Sequence, residues 1–168
     1  MCDSTCVLQQ FLQAWIPAEY LVPIIVSMVL GGLIGIEREI HHKPAGLRTN
    51  MLICVGAAVF TLIAQHIGKN TDAESRIIQG VITGVGFLGA GVLMHEQGSV
   101  HGLTTAATIW LVTAVGIACG ARAYGIAIAA VIPAILILAG LHPYEKKLRK
   151  NSQIYGNKQE ENKDLEKK

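Results

Sequence analysis

The sequence predicts an all-α polytopic membrane protein of five transmembrane helices, with its N-terminus outside and its C-terminus inside. Three observations carry that prediction. Of the 168 residues, 51% are hydrophobic and only 15% charged, against roughly a quarter charged in ordinary soluble domains. The imbalance sharpens toward the N-terminus, because 13 of the 26 charged residues crowd into 145–168. Five stretches, 21–36, 51–67, 77–94, 103–120 and 123–141, contain no Asp, Glu, Lys or Arg. Each approaches the ~20 apolar residues that a helix rising ~1.5 Å per residue needs to cross a hydrocarbon core ~30 Å thick. Finally, an outside N-terminus leaves eleven Lys and Arg on the inside and three on the outside, the asymmetry that keeps basic loops cytoplasmic. A chain so short of polar surface is not a soluble enzyme or a nucleic-acid-binding module, and a net charge of +2 says nothing of partners.

The chain divides into an interfacial segment at 1–20, a transmembrane domain at 21–141 and a charged tail at 142–168. Residues 1–20 lack the basic start of a secretory signal. Instead Val7, Leu8, Phe11, Leu12, Trp15 and Ile16 share one helical stripe opposite Gln9, Gln10 and Gln13, which predicts a short amphipathic helix in the outer interface. Tyr20 and Tyr124 are expected at that same level. The tail from Glu145 onward alternates in sign and is almost free of apolar residues, so it is expected to stay disordered, with Lys146, Lys147, Arg149 and Lys150 resting on anionic headgroups of the lipid bilayer. Cys54 and Cys119 read as small buried hydrophobes. Cys2 and Cys6 face outside, where disulfide chemistry is allowed.

Glycine marks the candidate packing surfaces. The third span carries Gly80, Gly84, Gly86, Gly89 and Gly91. Gly80 with Gly84, Gly31 with Gly35 and Gly116 with Gly120 each form a small-xxx-small pair. Apolar helices gain little from hiding in lipid, so close backbone approach at such pairs is how they associate. The pattern fits packing within one chain, a homodimer interface, or a path lined by backbone carbonyls.

Polar residues gather at the inner face. The loop EREIHHKPAGLRTN puts Glu37 and Arg38 at the end of the first span and Gly46, Leu47, Arg48 and Thr49 before the second, with Pro44 and Gly46 as breakers. A hairpin there predicts a Glu37–Arg48 pair, either as a structural anchor or as a recognition surface for a partner. Glu37 and His41 also have the i, i+4 spacing that faces two ligands together, with Glu39 and His42 nearby, but no fourth group completes a metal site and no cofactor is expected. The next inner loop holds Glu96 and leads into HGLTTAATIW, where Thr104, Thr105 and Thr108 are expected to cap the fourth span, with bonding across to a neighbouring helix as the alternative, ahead of Trp110. For an ion pathway the spans offer His66 and a scatter of Thr, Ser and Gln.

The blocks GGLIGIERE (31–39), AGLRTNMLICVGAA (45–58), GVGFLGAGVLM (84–94) and GLTTAATIWLVTAVGIACG (102–120) resemble the MgtC/SapB family of bacterial inner-membrane proteins, over about 31–141. The resemblance implies a multi-pass protein of the bacterial inner membrane, tied to adaptation to low magnesium and to virulence. In some members it implies inhibition of the F-type ATP synthase. The matching blocks carry Glu37, Arg38, Gly46, Leu47, Arg48, Thr49, Gly89, Gly91, Gly102, Thr105 and Trp110. Many family members add a soluble C-terminal domain, where this sequence has the charged tail. No nucleophile has a partnered base and no phosphate-binding motif appears, so the expected function is non-enzymatic: a regulator that binds another membrane complex. The alternative is a divalent-cation carrier.

Overall fold

A computed structural model describes residues 17–68, 71–96 and 99–140, without the side chains of 71, 73, 94–96, 99 and 100. The expected interfacial helix, the Cys2–Cys6 pair and the charged tail lie outside the described residues, apart from 17–20. Five helices follow in order: α1 (Ala18–Ile40), α2 (Leu47–Ile67), α3 (Thr71–Gly91), α4 (Leu103–Gly120) and α5 (Tyr124–Gly140). Three of them, α1, α2 and α4, are long and apolar enough to cross a membrane, and α5 is apolar but shorter. The protein is an all-α polytopic membrane protein.

Two details depart from expectation. The third helix starts at Thr71 and stops at Gly91, before the expected end at Met94. Its first turns hold Asp72, Glu74 and Arg76, the acids suiting a helix N-terminus. The chain then folds back as a small antiparallel hairpin, β1 (Met94–Glu96) with β2 (Ser99–His101), in which Met94 pairs with His101 and Glu96 with Ser99.

Turn chemistry explains the helix ends. At the end of α1, Lys43 N–H donates to Arg38 O and His42 N–H to Glu39 O, both at 3.0 Å, while His42 takes φ 50°. That is a Schellman stop built on a non-glycine residue. Arg122 repeats it after α4 at φ 59°, with Ala123 N–H donating to Ala118 O at 2.8 Å. Gly102 opens α4 in the left-handed region at φ 93°. A Cβ there would also collide with Val92 O, so only glycine serves.

Within Met1–Ile132, one of two units into which contacts divide the chain, α1 packs on α2, and α4 packs on α1, α2 and α3. The second unit, Pro133–Lys168, is described only through the last part of α5. Close approach of α1, α2 and α4 rests on glycine. A Cβ on Gly31 would lie 2.6 Å from Cys54 Cβ, and one on Gly35 would lie 2.7 Å from Leu47 Cα. Gly116 faces the Cys54 carbonyl and Ala57, and Gly120 would put a Cβ 2.6 Å from Ala58 O and Thr61 Cβ. Buried hydroxyls along these helices are satisfied locally. Ser27 donates to Ile24 O, Thr61 to Ala57 O, Thr108 to Thr104 O and Thr113 to Ile109 O, all between 2.8 and 2.9 Å.

The contacts also fix which helix ends lie together. Tyr20 Oη is 3.3 Å from His66 Nδ1, and Arg122 Nη2 is 3.8 Å from Glu19 Oε2. The start of α1 therefore lies with the ends of α2 and α4. The end of α1 and the starts of α2 and α4 form the opposite face.

Candidate functional site

That opposite face buries Arg38, Asn50 and Thr105. On α1, the stripe Ser27, Gly31, Ile34, Gly35 and Arg38 faces inward, so Arg38 continues the glycine seam one turn beyond Gly35. Its side chain is only 2% exposed, and Nη2 donates to Thr105 Oγ1 of α4 at 2.5 Å. Arg38 Nε has no hydrogen-bond partner among the described residues.

Glu37 points elsewhere. Its side chain is 10% exposed, and Oε1 lies 3.1 Å from His41 Nδ1 one turn on. The same nitrogen is 2.9 Å from Glu37 O. Both partners are acceptors, so Nδ1 carries the proton. The expected Glu37–Arg48 pair does not form: Arg48 is exposed and makes no ion pair among the described residues. The reason is helix geometry. Neighbours in a helix diverge by about 100°, so the seam takes Arg38 inward and leaves Glu37 to its own helix.

Glu39 does work that spacing concealed. Its Oε2 accepts the Leu47 N–H at 3.1 Å, placing a carboxylate on the N-terminus of α2. A Cβ on Gly46 would run into that carboxylate, the movable end of the Glu39 side chain. Asn50, absent from the predicted site, is fully buried. Its Nδ2 donates to Ala45 O at 2.6 Å and Gly46 O at 2.9 Å, tying the turn to α2, while Oδ1 stays unpaired, as does Glu37 Oε2. A signal for Asn50 existed, because Asn50, Cys54, Ala57, Ala58 and Thr61 fall on one small-residue stripe.

The remaining predicted residues separate. Thr105 joins the cluster as the acceptor for Arg38, but the capping role expected of the threonines does not hold: Gly102 occupies the N-cap position, without a side chain to cap with. Thr104, Thr49 and Trp110 are exposed. The side chain of Glu96 lies outside those described, though its backbone belongs to β1. His66 sits exposed in the last turn of α2 beside Tyr20 rather than at membrane depth. Among the described residues no group of three metal-ligating side chains converges.

The glycines of α3 behave unlike those of the seam. Around Gly80, Gly84, Gly86 and Gly91, an added Cβ would meet nothing within 4 Å among the described residues, and Gly89 makes only ordinary contact with Ala106 at 3.8 Å. Among the described residues, no neighbouring helix packs closely on Gly80, Gly84, Gly86 or Gly91. Gly80 and Gly84 instead line an apolar groove of about 600 Å³ between α2 and α3, with Gly56, Phe60, Val81 and Leu88.

A family model described as the MgtC family matches residues 24–147. Protein MgtC of Salmonella typhimurium is 44% identical over 113 residues, which are 67% of this chain and 48% of the relative. Protein MgtC of Brucella abortus is 43% identical over 117 residues, 70% of this chain and 49% of the relative. The chain thus spans about half the length of the curated relatives it matches. No solved structure matches it.

Proposed function

The chain belongs to the MgtC family, and on that footing we propose that it is a non-enzymatic regulator of the bacterial inner membrane that works by docking a transmembrane helix of another membrane complex. The observation that carries this reading is the α2–α3 groove, whose glycine floor at Gly56, Gly80 and Gly84 has no occupant among the described residues. Glycines left open on a lipid-facing surface let a second helix approach to backbone distance, the contact that holds helices together in lipid. The family resemblance supplies the context, magnesium homeostasis and virulence, and offers the F-type ATP synthase as the first candidate partner. Carriage of magnesium is the lesser reading, because the Asp, Glu, Lys and Arg side chains among the described residues stand in the end turns of helices or between them.

Gly84→Leu tests it. A Cβ at position 84 meets nothing within 4 Å among the described residues, and the leucine would project into the groove. In a strain lacking the gene, the variant is expected to reach the membrane at the wild-type level and to lose rescue of growth in low magnesium. Full rescue by Gly84→Leu would sink the docking reading. A photo-cross-linker at Phe60 then separates a foreign partner from a second copy of the chain. Magnesium uptake into proteoliposomes above that of empty vesicles would establish the carrier in place of the regulator.

A further inference from the structure

Arg38 is a buried guanidinium with no carboxylate in salt-bridge contact among the described residues, the neighbouring Glu37 acting on it only through space. Glu37 is engaged with His41 and Glu19 lies beside Arg122, and Glu39 is occupied at the N-terminus of α2. A buried charge left unpaired is costly, and this one is set against a second positive element. Thr105, which holds Nη2 of Arg38, is the third residue of α4, and the unsatisfied amides of a helix's first turn present positive charge. The two inner helix starts are thus treated oppositely. α2 receives the Glu39 carboxylate, whereas α4 opens on Gly102 without a cap and meets Arg38, whose Nε–H is unpartnered.

We propose that Arg38 and the N-terminus of α4 form a site for a phosphate oxyanion. First-turn amides and a guanidinium fork are the donors that recognise phosphate in proteins. Leu103 and Thr104 are exposed beside the buried Thr105, so this turn opens at the end of the bundle, and the exposed Lys43 and Arg48 add positive charge to the same face. A phospholipid headgroup and free inorganic phosphate offer the same chemistry. The site is independent of the α2–α3 groove and of the regulatory reading, and its test does not read growth.

The experiment uses the full chain purified in a sugar-based detergent free of phospholipid. Apparent melting temperature is followed against inorganic phosphate in one arm and phosphatidylglycerol in the other, at constant ionic strength set with chloride. The wild type is expected to be stabilised saturably in at least one arm; response to phosphate alone identifies a soluble ligand, and response to lipid alone a headgroup. Arg38→Lys keeps the charge but loses the fork, and is expected to raise the half-saturating concentration about tenfold. Thr105→Val removes the competing acceptor and is expected to retain saturable stabilisation, which keeps the proposal testable if Arg38 variants fold poorly. No saturable shift in wild type or in Thr105→Val overturns the site, and so does an equal shift in Arg38→Lys. A shift that arises only in Glu96→Gln would assign the counter-charge to the chain's own carboxylate and overturn it as well.

Discussion

The seam of α1, α2 and α4 and the open face of α3 are written in the same residues and used in opposite ways. Both carry small-xxx-small pairs, Gly31 with Gly35 and Gly116 with Gly120 on one side, Gly80 with Gly84 on the other. In the seam each glycine lies where a Cβ would strike a neighbouring backbone or side chain, while on α3 the corresponding positions meet nothing. A glycine pair permits close approach. It does not say whether the approaching surface belongs to the same chain. The seam has used its permission to build the bundle, and α3 leaves it unused among the described residues.

The largest test of that contrast is a single methyl group. Gly116→Ala should destabilise the protein by about 3 kcal/mol, at the high end for overpacking, because its Cβ would meet the Cys54 carbonyl, which cannot move without shifting α2. Gly84→Ala should change stability by no more than ~1 kcal/mol, the helix-propensity difference. Apparent unfolding in detergent measures both, and equal losses at the two positions would abolish the distinction. Next in size is Asn50→Ala, which removes both bonds that tie the 45–46 turn to α2. It should cost about 2 kcal/mol, read in the same way, and faster hydrogen exchange in the turn should accompany it. The smallest effect is a gain. His42→Gly relieves a non-glycine residue at φ 50° and should stabilise by about 1 kcal/mol, sharpening the comparison by showing that the turn, unlike the seam, is imperfectly fitted to its residues.

Much of the architecture was legible in the sequence. Charge-free stretches located all five helices to within a few residues, because a helix in lipid must be apolar over its length whatever it packs against. The exception, α3, begins in Asp72, Glu74 and Arg76, where helical structure outruns the apolar run that a span-based reading detects. The gathering of polar groups at one face, Glu37, Arg38, Gly46 and Thr105 among them, was legible too, since loops between spans must end there.

What the sequence alone determined is therefore a class, a set of helices and the end at which polar residues collect, all of which follow from solvent and local spacing. The tertiary structure decided which basic residue is buried, Arg38 rather than Arg48, and which glycines are spent in packing. Both depend on how the helices rotate against one another. The bond that fixes that rotation at this face joins Arg38 to Thr105 across 67 residues, and no periodicity within either helix contains it.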